Sequence, residues 1–263
     1  IRLPVALLCL TLGTAALRPT TGAIRARAST PRASAALSLL STFAGQPSAV
    51  PALRERVAAG DQVDELIPQL FSFALDSFQT DALLALNDGQ SVVVSAPTGS
   101  GKTVVGELAV YLALAKGERV VYTTPLKALS NQKFYDFQRQ FGAERVGLLT
   151  GDASVNREAD ILVMTTEIFR NMLLSEEHVD GSDDPLSGVS AAVLDEFHYM
   201  NEPSRGTVWE ESCILCPERV RLIALSATMS NAQKIVEWLG KIHGPTQLIA
   251  SEFRPVPLRY YYA

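Results

Sequence analysis

Cysteine is scarce in this chain, with three in 263 residues, and histidine is equally rare. Cys9, Cys213 and Cys216 cannot form the paired framework that staples small secreted domains, so a reducing compartment is the default setting. Cys213 and Cys216 make a lone C-x-x-C at helical spacing, with no second Cys or His pair to complete a zinc site. Core packing is the expected fate of both thiols, ahead of redox or metal chemistry. His178, in an acidic stretch, and His243, beside a turn, are expected to face solvent. Positive charge is also in short supply. The formal net charge of −5 excludes a surface that grips nucleic acid all over, so any such contact must be local and built by loops or helix ends. Long apolar runs are missing as well, since Leu3 to Leu17 is too short for a comfortable membrane span.

Acidic residues are absent from one whole region. Arg2, Arg18, Arg25, Arg27, Arg32 and Arg54 all precede Glu55, the first carboxylate. Leu3 to Leu17, with Arg2 before it and Ala15-Ala16 at its end, has the pattern of a signal-peptide core. Arg18 to Leu37 has the Ala, Ser, Thr and Arg composition of an organelle transit peptide. That order is similar to the two-part presequence of plastids acquired from a eukaryotic endosymbiont, and predicts a plastid location. The alternatives are a single secretory signal ahead of a linker, or a mis-assigned start that would leave the protein in nucleus or cytoplasm. Residues 1–17 and 18–50 are accordingly read as a signal-like segment and a disordered, transit-like linker, with folded sequence from Pro51 to Ala263. Ile1 is not Met and the chain stops just after a proline-marked segment, the expectation for part of a longer protein.

The densest pattern is Ser91-Val-Val-Val-Ser-Ala-Pro-Thr-Gly-Ser-Gly-Lys-Thr103. Val92 to Val94 is a β-branched run of strand length, and from Val104 to Ala115 apolar residues recur at helical spacing until Gly117. The turn between them, Ala96, Pro97, Thr98, Gly99, Ser100, Gly101, Lys102 and Thr103, fits a phosphate cradle. Gly99 and Gly101 let backbone N–H groups converge, the helix N-terminus adds its positive dipole end, and Lys102 adds a mobile charge. The Thr103 hydroxyl is a hard ligand for Mg²⁺. Ala96 stands where the usual pattern has its first glycine, which is tolerable if position 96 keeps a negative φ.

Beyond that loop, strands and helices alternate with short connections. Helical patterns at Leu53–Ala59, Asp61–Phe71 and Phe78–Leu86 lead into it. After it come a strand Arg119–Thr123 and its helix Lys127–Phe141, then short apolar runs at Val146–Leu149 and Ile161–Val163, each next to glycine or a polar turn, and a helix Thr166–Leu174. A surface loop, Ser175–Gly188, precedes strand Ala191–Leu194, helix Arg205–Leu215, strand Val220–Leu225, helix Asn231–Leu239 and strand Gln247–Ala250. The pattern predicts an α/β fold with a mainly parallel sheet covered on both faces, and ligands at the carboxyl ends of its strands. Ala191-Ala-Val-Leu-Asp195-Glu196-Phe-His198 then places an acidic pair at such an end. With a phosphate loop upstream, Asp195 is expected to hold Mg²⁺ and Glu196 to polarise the attacking water.

Taken in order, these motifs identify a resemblance to the first RecA-like domain of superfamily 2 DExH-box helicases, in particular the Ski2-like RNA helicases and their plastid relative. It runs from about Phe71 to Leu258. Phe73-Ala-Leu-Asp-Ser-Phe-Gln79 resembles the adenine-reading motif, which implies Phe73 stacking on the base and Gln79 bonding its edge. Thr124-Pro-Leu-Lys-Ala-Leu-Ser-Asn-Gln-Lys133, Thr150-Gly151-Asp152 and Thr165-Thr-Glu-Ile-Phe-Arg-Asn-Met172 resemble motifs that hold nucleic-acid phosphates. They imply contacts from Pro125, Lys127, Gly151, Thr165 and Thr166. Asp195-Glu-Phe-His198 matches motif II, extended by Tyr199-Met200 and Arg205-Gly-Thr-Val-Trp-Glu-Glu211 in the Ski2-like manner, and Ser226-Ala227-Thr228 matches motif III. His198, Ser226 and Thr228 are then implied to transmit the nucleotide state, and Arg254-Pro-Val-Pro-Leu258 to lead toward a second RecA-like domain, absent here.

The resemblance implies an ATP-dependent RNA helicase using ATP and Mg²⁺ on single-stranded RNA. Alternatives are a DNA helicase of the same superfamily or a non-hydrolysing switch that binds RNA. An arginine finger from a second domain contributes about 10³ to 10⁵ in rate in related sites, so slow hydrolysis and no unwinding are expected of this chain by itself.

Overall fold

The computed structural model describes residues 40–175, 184 and 186–254. Residues 1–39, which hold the signal-like segment and most of the transit-like linker, lie outside them, as do His178 and the stretch from Pro255 to Leu258. Packed structure begins earlier than the expected boundary at Pro51. Helix α1 spans Ala49–Ala58, and Leu40, Ala49, Val50 and Leu53 are buried in the core. The short linker sequence reads as featureless, yet these few apolar side chains gain enough by leaving water to fold it down. The helix expected over Asp61–Phe71 is interrupted: α2 covers only Val63–Leu66, and a 3-10 turn follows over Ile67–Leu70. Pro68 explains the break, because it has no N–H to continue the helical ladder.

Helix α3 (Ser77–Asn87) leads into strand β1 (Ser91–Ser95), which is buried throughout, and then into α4 (Lys102–Lys116). The chain continues through β2 (Arg119–Thr124), α5 (Lys127–Phe141), β3 (Val146–Thr150), β4 (Ala153–Val155), β5 (Ile161–Thr165) and α6 (Thr166–Leu174). It closes with β6 (Val189–Leu194), α7 (Gly206–Leu215), β7 (Arg221–Ser226), α8 (Ala232–Ile242) and β8 (Thr246–Ala250). A 3-10 turn over Phe197–Asn201, not foreseen from the pattern, follows β6.

The strands form one eight-stranded sheet in the order β4-β3-β5-β2-β6-β7-β1-β8. Every pairing is parallel except the β3–β4 hairpin, where Thr150 faces Ala153 across a turn made of Gly151 and Asp152. Strand β4 was invisible in the sequence because Ala153, Ser154 and Val155 are too few and too exposed to show alternation.

Side-chain alternation along the strands sorts the core into two layers. Val92, Val94, Tyr122, Val193 and Leu225 face α1, α3, α4 and α5, whereas Val93, Val121, Ala192, Leu194 and Ala224 face α6, α7 and α8. Helix α4 is buried over nearly its whole circumference, between the sheet and the helices outside it. Gly106 permits that approach. A Cβ there would lie 2.9 Å from the Tyr122 ring and 3.2 Å from Leu225. Trp209 and Phe169 are core aromatics, fully enclosed, and Cys213 and Cys216 are buried beside them. His243 departs from expectation. It is 4% exposed, because the turn after α8 folds its ring inward, and burial holds its pKa below the ordinary value.

Candidate nucleotide and nucleic-acid site

The carboxyl ends of β1, β6 and β7 meet at one edge of the sheet. After β1 the chain turns through Gly99 and Gly101, whose φ angles of 82° and 89° place both in the left-handed region that glycine enters freely. Ala96 is absent from the positive-φ residues, so its methyl group costs the loop nothing. Lys102 Nζ donates to the carbonyl oxygens of Ala96 (2.9 Å) and Pro97 (3.0 Å), folding the ammonium over the loop. Burial lowers the Lys102 pKa, and the nearby Glu196 and Asp195 carboxylates oppose that shift. The Ser100 hydroxyl is buried at the floor of the loop without a protein partner.

Two strands away, Asp195 leaves β6 with both carboxylate oxygens engaged. Oδ1 accepts the Glu196 backbone N–H at 2.9 Å, and Oδ2 accepts the Tyr122 hydroxyl at 2.8 Å. Tyr122 is fully buried on β2, and burial together with Asp195 raises its pKa well above the usual value, so it stays a donor. No motif pointed to Tyr122, since its sequence context reads as plain strand; only the β2–β6 pairing, with Tyr122 opposite Val193, brings its hydroxyl to Asp195. Glu196 sits at φ 51° and ψ 44°, a conformation that costs a non-glycine residue about 1–2 kcal/mol. Such strain concentrates at functional sites. Its carboxylate lies 3.3 Å from His198 Nδ1.

Ser226 ends β7 between these two groups. Its carbonyl accepts the Ala96 N–H at 3.2 Å, while its fully buried hydroxyl has no partner. Beyond it His198, Asn201, Thr228 and Asn231 line an open cleft of 520 Å³. On the other flank of the loop, Phe73 is half exposed and packs on Phe71 at 5.5 Å. Gln79 is placed differently from a free base-reading side chain. It is 3% exposed, its Oε1 accepts the Asp76 N–H in a capping box, and its Nε2 donates to Gly101 O at 3.1 Å. Gln79 therefore braces the phosphate loop itself, and only the spare hydrogen-bonding capacity of its amide is left for a base.

The ends of β2, β3 and β5 form the adjoining part of the edge. Here the polar groups bond to one another. Thr124 Oγ1 donates to Leu126 O at 3.1 Å and lies 2.7 Å from Ser130 Oγ, and both side chains are buried. Thr166, expected from the resemblance to contact phosphate, is a buried residue. Its hydroxyl is 0% exposed and donates to Thr124 O at 3.3 Å, tying α6 to β2. Pro125 is buried and has no N–H, so the group it presents is its carbonyl, which accepts Arg205 Nη2 at 3.0 Å. Thr165 is half-buried at the N-cap of α6, whereas Gly151 is exposed with open space around it. Lys127 is exposed and paired with Asp152.

Residues 76–235 match the model of the DEAD/DEAH box helicase family. The chain belongs to that family. It is 53% identical over 201 residues to the chloroplastic DExH-box ATP-dependent RNA helicase DExH15 of Arabidopsis thaliana, covering 76% of this chain and 17% of the relative. It is 44% identical over 192 residues to the exosome RNA helicase MTR4 of Homo sapiens, covering 73% of this chain and 18% of that protein. The chain thus spans less than a fifth of either relative's length. Among solved structures, the DUF1998 helicase MrfA bound to DNA is similar with a TM-score of 0.54 at 22% identity, covering 68% of this chain and 27% of that one, a likeness of fold.

The residues of this helicase domain suit a magnesium nucleotide. Among the described residues no cluster of three or more His, Cys, Asp or Glu side chains could cage an ion. One carboxylate, Asp195, and one hydroxyl, Thr103, suit a cation that keeps most of its water and takes the rest of its shell from phosphates. The buried hydroxyls of Ser100 and Ser226 at the same edge have no protein partner. Cys213 and Cys216 take no part: burial raises both thiols, Cys216 to about 12, which leaves them inert.

Proposed function

We propose that this domain is the nucleotide-binding half of an ATP-dependent RNA helicase, coupling ATP hydrolysis to movement along single-stranded RNA. The observation that carries the reading is the meeting of the Lys102 loop with Asp195 and the strained Glu196 at one sheet edge. In this reading the loop N–H groups and the α4 N-terminus hold the β and γ phosphates. Lys102 exchanges the Ala96 and Pro97 carbonyls for phosphate oxygens, which its flexible stem allows. Thr103 and Asp195 would hold Mg²⁺, which would supply positive charge to the phosphates. Tyr122 and the Glu196 N–H fix the Asp195 carboxylate in place. Glu196 orients a water and takes its proton as the water oxygen bonds to the γ-phosphorus, in line with the bridging oxygen that leaves on ADP, and His198 carries the change toward Ser226 and Thr228. Phe73 offers an open ring face for the adenine, with Gln79 behind it.

RNA is favoured over DNA because relatives of 44–53% identity are named as RNA helicases. Lys127, Gly151 and the backbone near Pro125 and Thr165 would track phosphates without reading bases. A second RecA-like domain is the proposed partner in cis, and a plastid location is supported by the name of the chloroplastic relative. ATPase assays of the full-length protein test the activity: RNA should stimulate turnover well beyond DNA of equal length. Equal stimulation by both would overturn the substrate. A Glu196→Gln protein as active as its parent would overturn hydrolysis at this site. Imaging residues 1–50 fused to a fluorescent protein tests the location.

A further inference from the structure

The segment Arg205-Gly-Thr-Val-Trp-Glu-Glu211 has no part in the nucleotide chemistry, yet it touches both halves of the sheet edge. On one side it is clamped to the turn that follows Glu196. A Cβ at Gly206 would stand 2.2 Å from Met200 O, so only glycine allows α7 to start there, and the Gly206 N–H donates to Glu202 O at 2.8 Å. Trp209, fully buried, stacks on Tyr199 of the same turn with ring centroids 5.8 Å apart. On the other side it grips the strand-facing loops. Arg205 Nη2 donates to Pro125 O at 3.0 Å and pairs with Glu167 in the first turn of α6, and Glu211 pairs with Arg170 at 2.8 Å.

We propose that Arg205 is a positioning residue that couples nucleotide state to RNA binding. It holds the loop after β2 and the start of α6 in register with each other and with the turn beyond Glu196. This rests on the reading of those two segments as phosphate contacts. The Arg205 and Glu167 side chains are each about one-third exposed, so the pair adds little stability and its effect is geometric. Both bonds leave the same Nη2, whose two hydrogens keep fixed directions in the guanidinium plane, so the Pro125 carbonyl and the Glu167 carboxylate are held at a set angle that a freely rotating lysine ammonium does not impose. Glycine at 206 and tryptophan at 209 transmit the turn's position to Arg205, since neither contact can slide without a clash or a lost aromatic stack.

Full-length protein provides the test, with a fluorescent single-stranded RNA oligonucleotide titrated in the presence and absence of a non-hydrolysable ATP analogue. The ratio of the two RNA affinities measures the coupling, and a factor of about 5 to 150 is typical for two linked sites. In Arg205→Lys and Glu167→Gln the ratio should fall toward one, while the melting temperature and the analogue affinity without RNA stay at parental values. The double variant should be no worse than either single one. Unchanged ratios in both variants would overturn the proposal, as would a loss of RNA affinity equal in both nucleotide states. A parental protein whose RNA affinity ignores the analogue would instead overturn the helicase reading on which it rests.

Discussion

At the ends of β1 and β7 two serine hydroxyls are buried without a protein partner, whereas at the ends of β2, β3 and β5 the polar groups bond to one another. Ser100 and Ser226 keep unpartnered hydroxyls and Glu196 holds a left-handed backbone on the first side. On the second, Thr124 meets Ser130, Thr166 meets Thr124, Lys127 meets Asp152 and Arg205 meets Pro125. The difference separates two kinds of readiness. An edge with unmet bonds is arranged in advance for one ligand and gives up stability for it. An edge already satisfied offers a ligand only its exposed backbone and whatever charge it can pull from a partner, which suits a polymer gripped weakly at many points.

The contrast should be starkest at Glu196. Replacing it by Gln removes the proposed proton acceptor and should slow ATP hydrolysis by about 10² to 10⁴ while leaving nucleotide binding intact, as steady-state turnover and a fluorescent-nucleotide titration would show. Binding lost together with turnover would make Glu196 part of the cradle. Tyr122→Phe comes next, because it strips one of two donors from Asp195. The Mg²⁺ concentration for half-maximal binding of a fluorescent nucleotide should rise about 10- to 100-fold, the usual effect of losing a group that orients a metal ligand. An unchanged Mg²⁺ midpoint would show that the Glu196 N–H suffices.

Strain at Glu196 can be measured without turnover. Glu196→Gly should be more stable than Glu196→Ala by about 1 kcal/mol in chemical denaturation, since only glycine accepts φ 51° without cost. Equal stabilities would remove strain from the description of that side. On the satisfied side, Asp152→Asn should free Lys127 and tighten RNA binding only a few-fold, with the gain fading in high salt. Tighter binding that ignores salt would argue that Asp152 does more than occupy the lysine.

His243 belongs to neither side and gives the smallest effect. Its pKa is lowered on folding by burial, so the unfolded chain takes up the proton first, and stability should fall as pH drops below about 6.5. The loss should stay under about 1.4 kcal/mol per pH unit, and His243→Leu should flatten it in denaturation curves between pH 5 and 8.

Local order carried much of this protein into plain view. A β-branched run, two glycines, Lys102 and a helical period are contiguous, so β1, the loop and α4 follow from short-range sterics and spacing, and helix Lys127–Phe141 has the bounds its pattern predicts. Asp195 and Glu196 were legible for the same reason, being at the end of an apolar strand. Burial and pairing could be decided only by the assembled sheet. Strand β2 lies beside β6, which turns Tyr122 toward Asp195; α6 docks on β2, which turns Thr166 inward; and α7 closes on Met200, which brings Arg205 to Pro125 across 80 positions of sequence. Sequence alone determined the strand, the glycine-bearing turn and the helix of the proposed phosphate cradle, because these depend on neighbours along the chain. Which polar groups remain free to meet a ligand was decided by the tertiary structure, because a hydrogen bond is satisfied by whatever the fold brings near.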